Sequence, residues 1–133
     1  MRHMAQRRSG LLVTIALMAG LVALASCAQA NGGKSSHEVD MGGTEFLQSS
    51  ITITAGQSVQ FVDPAKGGGV HVLCIGKDST CVPQAGAPAV LSATNGVQMM
   101  PGDFPLVANF PMRGTYVVVC TIHPGMAVTV KVQ

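Results

Sequence analysis

From residue 44 onward the sequence is a succession of short runs in which apolar and polar residues alternate, separated by turns rich in Gly and Pro. Alternation with a period of two is typical of half-buried β-strands. Several such runs with turn residues between them indicate a sandwich or barrel. No helical period longer than a few residues occurs. We therefore predict an all-β Greek-key β-sandwich of about eight strands.

The predicted strands differ in how clearly they alternate, and those near the C-terminus are the clearest. They span Thr44–Leu47, Ile51–Thr54, Ser58–Val62, Val70–Ile75, Val97–Met100, Phe104–Phe110, Thr115–Cys120 and Ala127–Val132. A loop rich in Gly, Pro and Ser is predicted over residues 76–96, and whether it contains a helical turn stays open. Strand alternation places His71 and Leu73 on one face of the fourth strand and Cys74 on the other.

The first residues have the pattern of a secretory signal. Basic residues up to Arg8 precede an uncharged apolar run over residues 9–26, which is typical of a signal peptide. Leu24-Ala25-Ser26-Cys27 resembles the bacterial lipobox, so we predict a lipoprotein signal peptide over residues 1–26 and lipidation of Cys27. An uncleaved membrane anchor and ordinary cleavage near Ala30 are the alternatives.

Each of these alternatives places the remaining chain outside the cytoplasm. With lipid on Cys27, the protein is expected to be anchored on the outer side of a bacterial membrane, in the periplasm or at the cell surface. Two acyl chains on that residue would give stable anchoring. Small and polar residues dominate positions 27–43, which predicts a flexible tether. The folded domain is then expected to span residues 44–133.

The charge of the whole chain does not describe its exported part. The 133 residues carry a formal charge of +2, and 47% of them are hydrophobic, which excludes intrinsic disorder. Residues 27–133 contain five basic and six acidic residues, a formal charge of −1. The basic excess therefore belongs to the export signal. No nucleic-acid partner is expected, because no basic cluster follows residue 8.

Three of the four cysteines have separate explanations in an oxidising compartment. Cys27 lies at the lipidation site. Cys74 and Cys81 flank a turn-like segment and are predicted to form a disulfide, with two free thiols or a second metal site as alternatives. Cys120 is left over, and an odd cysteine in an exported protein needs an explanation.

The segment Cys120-Thr121-Ile122-His123-Pro124-Gly125-Met126 supplies that explanation. It places a thiolate, an imidazole and a thioether within seven residues, and such soft ligands suit copper. One further imidazole would complete a trigonal plane of two His and one Cys with a weak axial Met.

His71 is the best candidate for the second imidazole. His3 lies in the predicted signal peptide and His37 in the predicted tether. His71 opens a strand after a run of three glycines, on the face opposite Cys74. For the axial position the alternatives to Met126 are no ligand or one of Met99, Met100 and Met112.

The residues around Cys120 resemble those of the cupredoxins, the small blue copper proteins. Gly114-Thr115-Tyr116-Val117-Val118-Val119-Cys120 is similar to the Gly-x-Tyr-x-x-x-Cys strand of that family. The short Cys-x-x-His-x-x-Met spacing is most similar to the amicyanin type. The segment Ile51–Phe61 resembles the second and third strands of the family. The resemblance covers about residues 44–133.

This resemblance implies a cupredoxin-like domain with one type 1 copper ion. Its equatorial ligands would be His71, Cys120 and His123, and its weak axial ligand Met126. The sequence departs from the family at Val72, because an Asn often follows the first His ligand there and bonds towards the Cys loop.

The implied function is one-electron transfer between redox proteins of the cell envelope. Such a carrier is not an enzyme and takes no small-molecule substrate. In the family, electrons pass through an apolar patch around the second His ligand, which here would include Pro124 and Gly125. Copper delivery, storage or sensing without electron transfer is the alternative.

Overall fold

The computed structural model describes residues 37–133, where a three-residue 3₁₀ turn is the only helical element. The predicted signal peptide and Cys27 lie outside the described residues. Between residues 37 and 133, no helix is long and apolar enough to cross a membrane. The strands are β1 (Glu38–Asp40), β2 (Ser50–Ile53), β3 (Ser58–Val62), β4 (His71–Lys77), β5 (Thr80–Cys81), β6 (Val97–Met99), β7 (Leu106–Asn109), β8 (Gly114–Cys120) and β9 (Ala127–Val132), with the 3₁₀ turn at Ala89–Leu91.

The strands form two mixed sheets. The smaller sheet has the order β1-β3-β7, with β1 parallel and β7 antiparallel to β3. The larger sheet has the order β2-β9-β8-β4-β5, and β6 also pairs with β4. Each sheet is apolar on one face and must bury that face against another layer.

Buried side chains from both sheets form a single apolar core. In β9, Val128, Val130 and Val132 are buried while Lys131 is exposed, because successive side chains of a strand point to opposite faces. Tyr116 of β8 is buried, and its hydroxyl donates a hydrogen bond to the backbone oxygen of Met112 at 3.0 Å. The phenol therefore adds apolar packing without leaving its polar group unpaired.

The predicted all-β class is confirmed, with nine strands within residues 37–133 where about eight were expected. The predicted strands from Ile51 onward each correspond to an observed strand. Residues 76–96 contain the short strand β5 and the 3₁₀ turn, which were not predicted as such. This loop is therefore partly regular.

The N-terminal boundary of the domain differs from the expectation. The predicted strand Thr44–Leu47 is wrong, since Phe46 makes only an isolated bridge to Met41. The first strand is instead β1, in which Val39 is fully buried, as is Met41 just after it. The folded domain therefore includes residues 38–43, which were expected to belong to the tether. Acidic residues on both sides of Val39 hid this short strand.

A disulfide joins β4 to β5. Cys74 and Cys81 are bonded with their Cα atoms 5.6 Å apart. Asp78 and Ser79 connect the two strands, both with positive φ, as in the two-residue turns that suit the twist of a hairpin. These two residues line a pocket of about 270 Å³ together with Gly125 and Met126. The tip of this hairpin therefore reaches the loop that follows Cys120.

Replacing both Cys74 and Cys81 by Ser should lower the free energy of unfolding by about 2.5 kcal/mol, because the disulfide restricts the unfolded chain. Chemical denaturation followed by circular dichroism measures this change. The wild-type protein in a thiol reductant is the matched control and should lose the same amount. Unchanged stability in both samples would show that the disulfide does not stabilise the folded domain.

Candidate metal centre

His71, Cys120 and His123 come together at one end of the sandwich. Their ligand atoms all lie within 4.8 Å of one another. Leu73 of β4 pairs with Cys120 at the end of β8, so the register of these antiparallel strands places His71 near Cys120. His123 lies on the loop between β8 and β9. Two strands and one loop thus supply the three donors.

The separations of the donor atoms suit a trigonal metal site. The Sγ atom of Cys120 lies 3.9 Å from Nδ1 of His71 and 3.6 Å from Nδ1 of His123. With metal–sulfur and metal–nitrogen bonds of about 2.3 and 2.05 Å, ligands at 120° are about 3.8 Å apart. Both sulfur–nitrogen distances therefore fit a single ion bound by one thiolate and two imidazoles.

A backbone carbonyl fixes the orientation of His71. Its Nε2 atom lies 3.0 Å from the oxygen of Gly42, which can only accept a hydrogen bond. Nε2 therefore carries the proton, and Nδ1 presents its lone pair towards Cys120. The imidazole is fully buried, and this burial lowers its pKa below 6.5 despite the opposing effects of Asp63 and Gly42. The neutral ring is the form that binds a metal.

Asp63 lies behind His71, on the side away from Cys120. One of its carboxylate oxygens, Oδ1, is 3.9 Å from Nε2 of His71, and both side chains are fully buried. The same oxygen accepts a hydrogen bond from the backbone N–H of Gly69 at 3.2 Å. Its other oxygen, Oδ2, is buried without a hydrogen-bond partner among the described residues. This carboxylate thus places an acidic group next to one of the three donors.

The glycines before His71 let the chain pack closely around this carboxylate. A Cβ atom at Gly68 would overlap Oδ1 of Asp63, and one at Gly69 would overlap the backbone oxygen of Gly43. Any larger residue would have to push these atoms apart. The glycine run therefore brings the backbone near Gly43 and Asp63 into contact with the segment that leads into His71.

Backbone groups of Val72 hold the thiol of Cys120 and the loop after it. The N–H of Val72 points to Sγ of Cys120 at 3.4 Å. The N–H of Thr121 donates to the backbone oxygen of Val72 at 2.9 Å. Val72 stands where cupredoxins often have an Asn that bonds towards the Cys loop. Bonds between the backbone of Val72, on β4, and that loop provide the support instead.

Met126 is buried, and backbone bonds close the loop that carries it. Its N–H donates to the oxygen of His123 at 3.1 Å, and its oxygen accepts from the N–H of Cys120 at 3.0 Å. Met99 is also buried and pairs with His71 across β6 and β4. Both thioethers therefore remain candidates for an axial ligand.

The other two methionines are poorly placed for that role. Met100 is 44% exposed, and Met112 is 58% exposed on the turn before β8, at the opposite end of that strand from Cys120.

His123 is the most accessible of the three donors. It is partly exposed, whereas His71 and Cys120 are fully buried. The residues on either side of it, Ile122 and Pro124, are exposed, as is Gly125. One imidazole thus links a buried donor set to the surface.

Sequence reasoning singled out the three donors but missed Asp63 and Gly42. A carboxylate two residues after a buried aromatic strand position looks like an ordinary turn residue when followed by Pro. The long gap between Asp63 and His71 hides their contact. The three glycines of residues 67–69 were the available signal, since they allow the chain to return closely on itself.

Several solved structures resemble this chain in their fold. Amicyanin from Paracoccus versutus superposes with a TM-score of 0.53 at 22% identity, covering 78% of this chain and 87% of amicyanin. A fern plastocyanin gives 0.51 at 25% identity, covering 72% and 99% of the two chains. A purple cupredoxin from Nitrosopumilus maritimus gives 0.53 at 17% identity, covering 72% and 98%.

No protein-family model matches the sequence, and no curated protein matches it either. The likeness to the solved structures extends over nearly all of each of them, and it is a likeness of fold. The chain has the cupredoxin fold.

Proposed function

We propose that this protein is a one-electron carrier of the bacterial cell envelope with a mononuclear type 1 copper centre. The observation that carries this proposal is that Sγ of Cys120 lies 3.6 Å from Nδ1 of His123 and 3.9 Å from Nδ1 of His71. His71, Cys120 and His123 are the proposed equatorial ligands. Structures with the same fold support copper as the metal, since one amicyanin among them is described as a reduced Cu(I) form.

Copper bound at this site would supply a couple between Cu(I) and Cu(II). The chain supplies a frame that resists rearrangement. His71 is held by Gly42 and Cys120 by Val72, and main-chain bonds close the loop that follows Cys120. Donors that stay in place when the charge of the site changes keep the reorganisation small, which is what an electron carrier requires.

The proposed path for electrons runs through His123. Its ring is partly exposed and flanked by the exposed residues Ile122, Pro124 and Gly125, which we call the His123 edge. An apolar edge of this kind can meet a redox protein without strong charge pairing. This agrees with the formal charge of −1 over residues 27–133, which provides no strong steering field.

The location of the protein is part of the same proposal. The lipobox-like sequence at Leu24–Cys27 supports export and lipid attachment at Cys27. The disulfide between Cys74 and Cys81 is consistent with an oxidising compartment. We infer that the domain acts on the outer side of a bacterial membrane, with redox proteins of the envelope as partners.

Copper delivery or storage would use the same ligands, and the thiol geometry favours the carrier. A delivery protein must release its ion, whereas Cys120 is fully buried behind His123. Reversible voltammetry without loss of copper supports the carrier. Transfer of the ion to an apoprotein acceptor at each cycle would support delivery instead.

The protein loaded with Cu(II) should show an intense visible thiolate-to-copper band and narrow copper hyperfine splitting in its EPR spectrum. Cys120→Ser should abolish the band, because the hydroxyl that replaces the thiolate cannot give this transition. The double variant with Ser at positions 74 and 81 is the control and should keep its colour. A colourless wild-type protein would overturn the type 1 assignment.

Met126→Leu should keep the visible band and raise the reduction potential, because the weak axial thioether stabilises the oxidised site. Met99→Leu is the matched control, since it removes a buried thioether from the strand that pairs with His71. Cyclic voltammetry of the two variants decides whether Met126 or Met99 is the axial ligand. A shift in Met99→Leu with none in Met126→Leu would assign the axial role to Met99.

Ile122→Glu should slow electron self-exchange about tenfold, because two negatively charged edges repel each other where two copies must meet. Val107→Glu adds the same charge on β7 at a similar exposure, 54% against 49% for Ile122, and should have little effect. NMR line broadening in mixtures of the oxidised and reduced protein measures this rate. Equal slowing in both variants would show that electrons do not pass through the His123 edge.

A further inference from the structure

Asp63 is a buried carboxylate whose hydrogen bonds are incomplete. It is 1% exposed, and its Oδ2 atom has no hydrogen-bond partner among residues 37–133. A buried carboxylate with an unpaired oxygen is expensive, because its lost hydration is not fully replaced. Such groups are rare in native structures and call for an explanation.

The surroundings of Asp63 show what the carboxylate faces. Oδ1 bonds to the N–H of Gly69 and lies 3.9 Å from Nε2 of His71. The chain leaves Gly68 without a side chain, which lets the backbone close over this oxygen. The negative group is therefore enclosed against the far side of the imidazole whose Nδ1 points at Cys120.

Folding by itself does not require a carboxylate here. The hydrogen bond from Gly69 would be satisfied by any oxygen acceptor of the same size, such as the amide oxygen of Asn. What Asn lacks is the negative charge, and burying that charge opposes folding. The charge is thus the property of Asp63 that the fold does not explain.

We propose that Asp63 is a positioning residue that acts through His71 to favour the oxidised, more highly charged state of the metal site and so lowers its reduction potential. This rests on the proposed function, since it concerns the same three donors. A carboxylate beside the outer nitrogen of a ligating His raises the basicity of the ring. In a buried site a unit charge is weakly screened, so its effect extends across the ring to the donors.

The size of the effect follows from Coulomb's law. A unit charge acting over roughly 10 Å at an effective dielectric constant of about 20 changes the ratio of the affinities for Cu(II) and Cu(I) on the order of tenfold. A tenfold change in the affinity for Cu(II) relative to Cu(I) is about 59 mV for a one-electron couple.

Asp63→Asn tests the proposal, with Asp78→Asn as the matched control. The control removes the same charge from a side chain that is 86% exposed on the hairpin tip. Voltammetry should show a shift of about +59 mV in Asp63→Asn and a much smaller shift in Asp78→Asn. The visible band should persist in both. Thermal unfolding of the metal-free protein should show a midpoint for Asp63→Asn that equals or exceeds that of the wild type.

Two results would overturn the proposal. One is an unshifted potential in Asp63→Asn. The other is a lower unfolding midpoint with a changed visible spectrum, which would make Asp63 a structural anchor for Gly69. Should Asp63→Asn fail to fold, Asp63→Ser provides a second test, and misfolding of both would also assign the carboxylate to folding. A wild-type protein without a blue reversible site would instead refute the proposed function, so the two failures are distinguishable.

Discussion

The antiparallel pairing of β4 with β8 is the interaction on which the site depends. It brings together residues that are 49 positions apart, so that Cys120 lies beside His71 and receives the N–H of Val72. Both strands are central in the larger sheet, with β9 on one side and β5 and β6 on the other. A small displacement of either strand would disturb the pairing of its neighbours, so the close-packed core resists it. The donors are thus held by the part of the fold that is hardest to deform.

The loop after β8 completes the site with local bonds only. Cys120 and Met126 bond to each other through the main chain, and Thr121 bonds to Val72. A short loop of this kind has little freedom once its two ends are fixed by β8 and β9. This explains how a seven-residue segment can present a thiolate, an imidazole and a thioether in one place. The strands determine the position of the loop, and the loop determines the direction of its ligands.

Those parts of the fold that depend on alternation within one strand were predictable from the sequence. The inward Val residues of β9 and the opposite faces of His71 and Cys74 follow from a period of two. The clustering of His71, Cys120 and His123 was predictable because their side-chain chemistry is unusual in such a chain. Strand β1 was missed because a strand of three residues is too short to show a period. Asp63 was missed because its contact with His71 is a tertiary contact that no local pattern records.

The direction of β1 determines from which side the start of the domain approaches the donors. β1 runs parallel to β3, and both strands lead toward the end of the sandwich where Gly42 and Asp63 contact His71. The chain therefore enters the domain from the opposite side and approaches the donors only after Asp40. The segment that begins the domain therefore reaches the donors at Gly42, whose carbonyl orients His71.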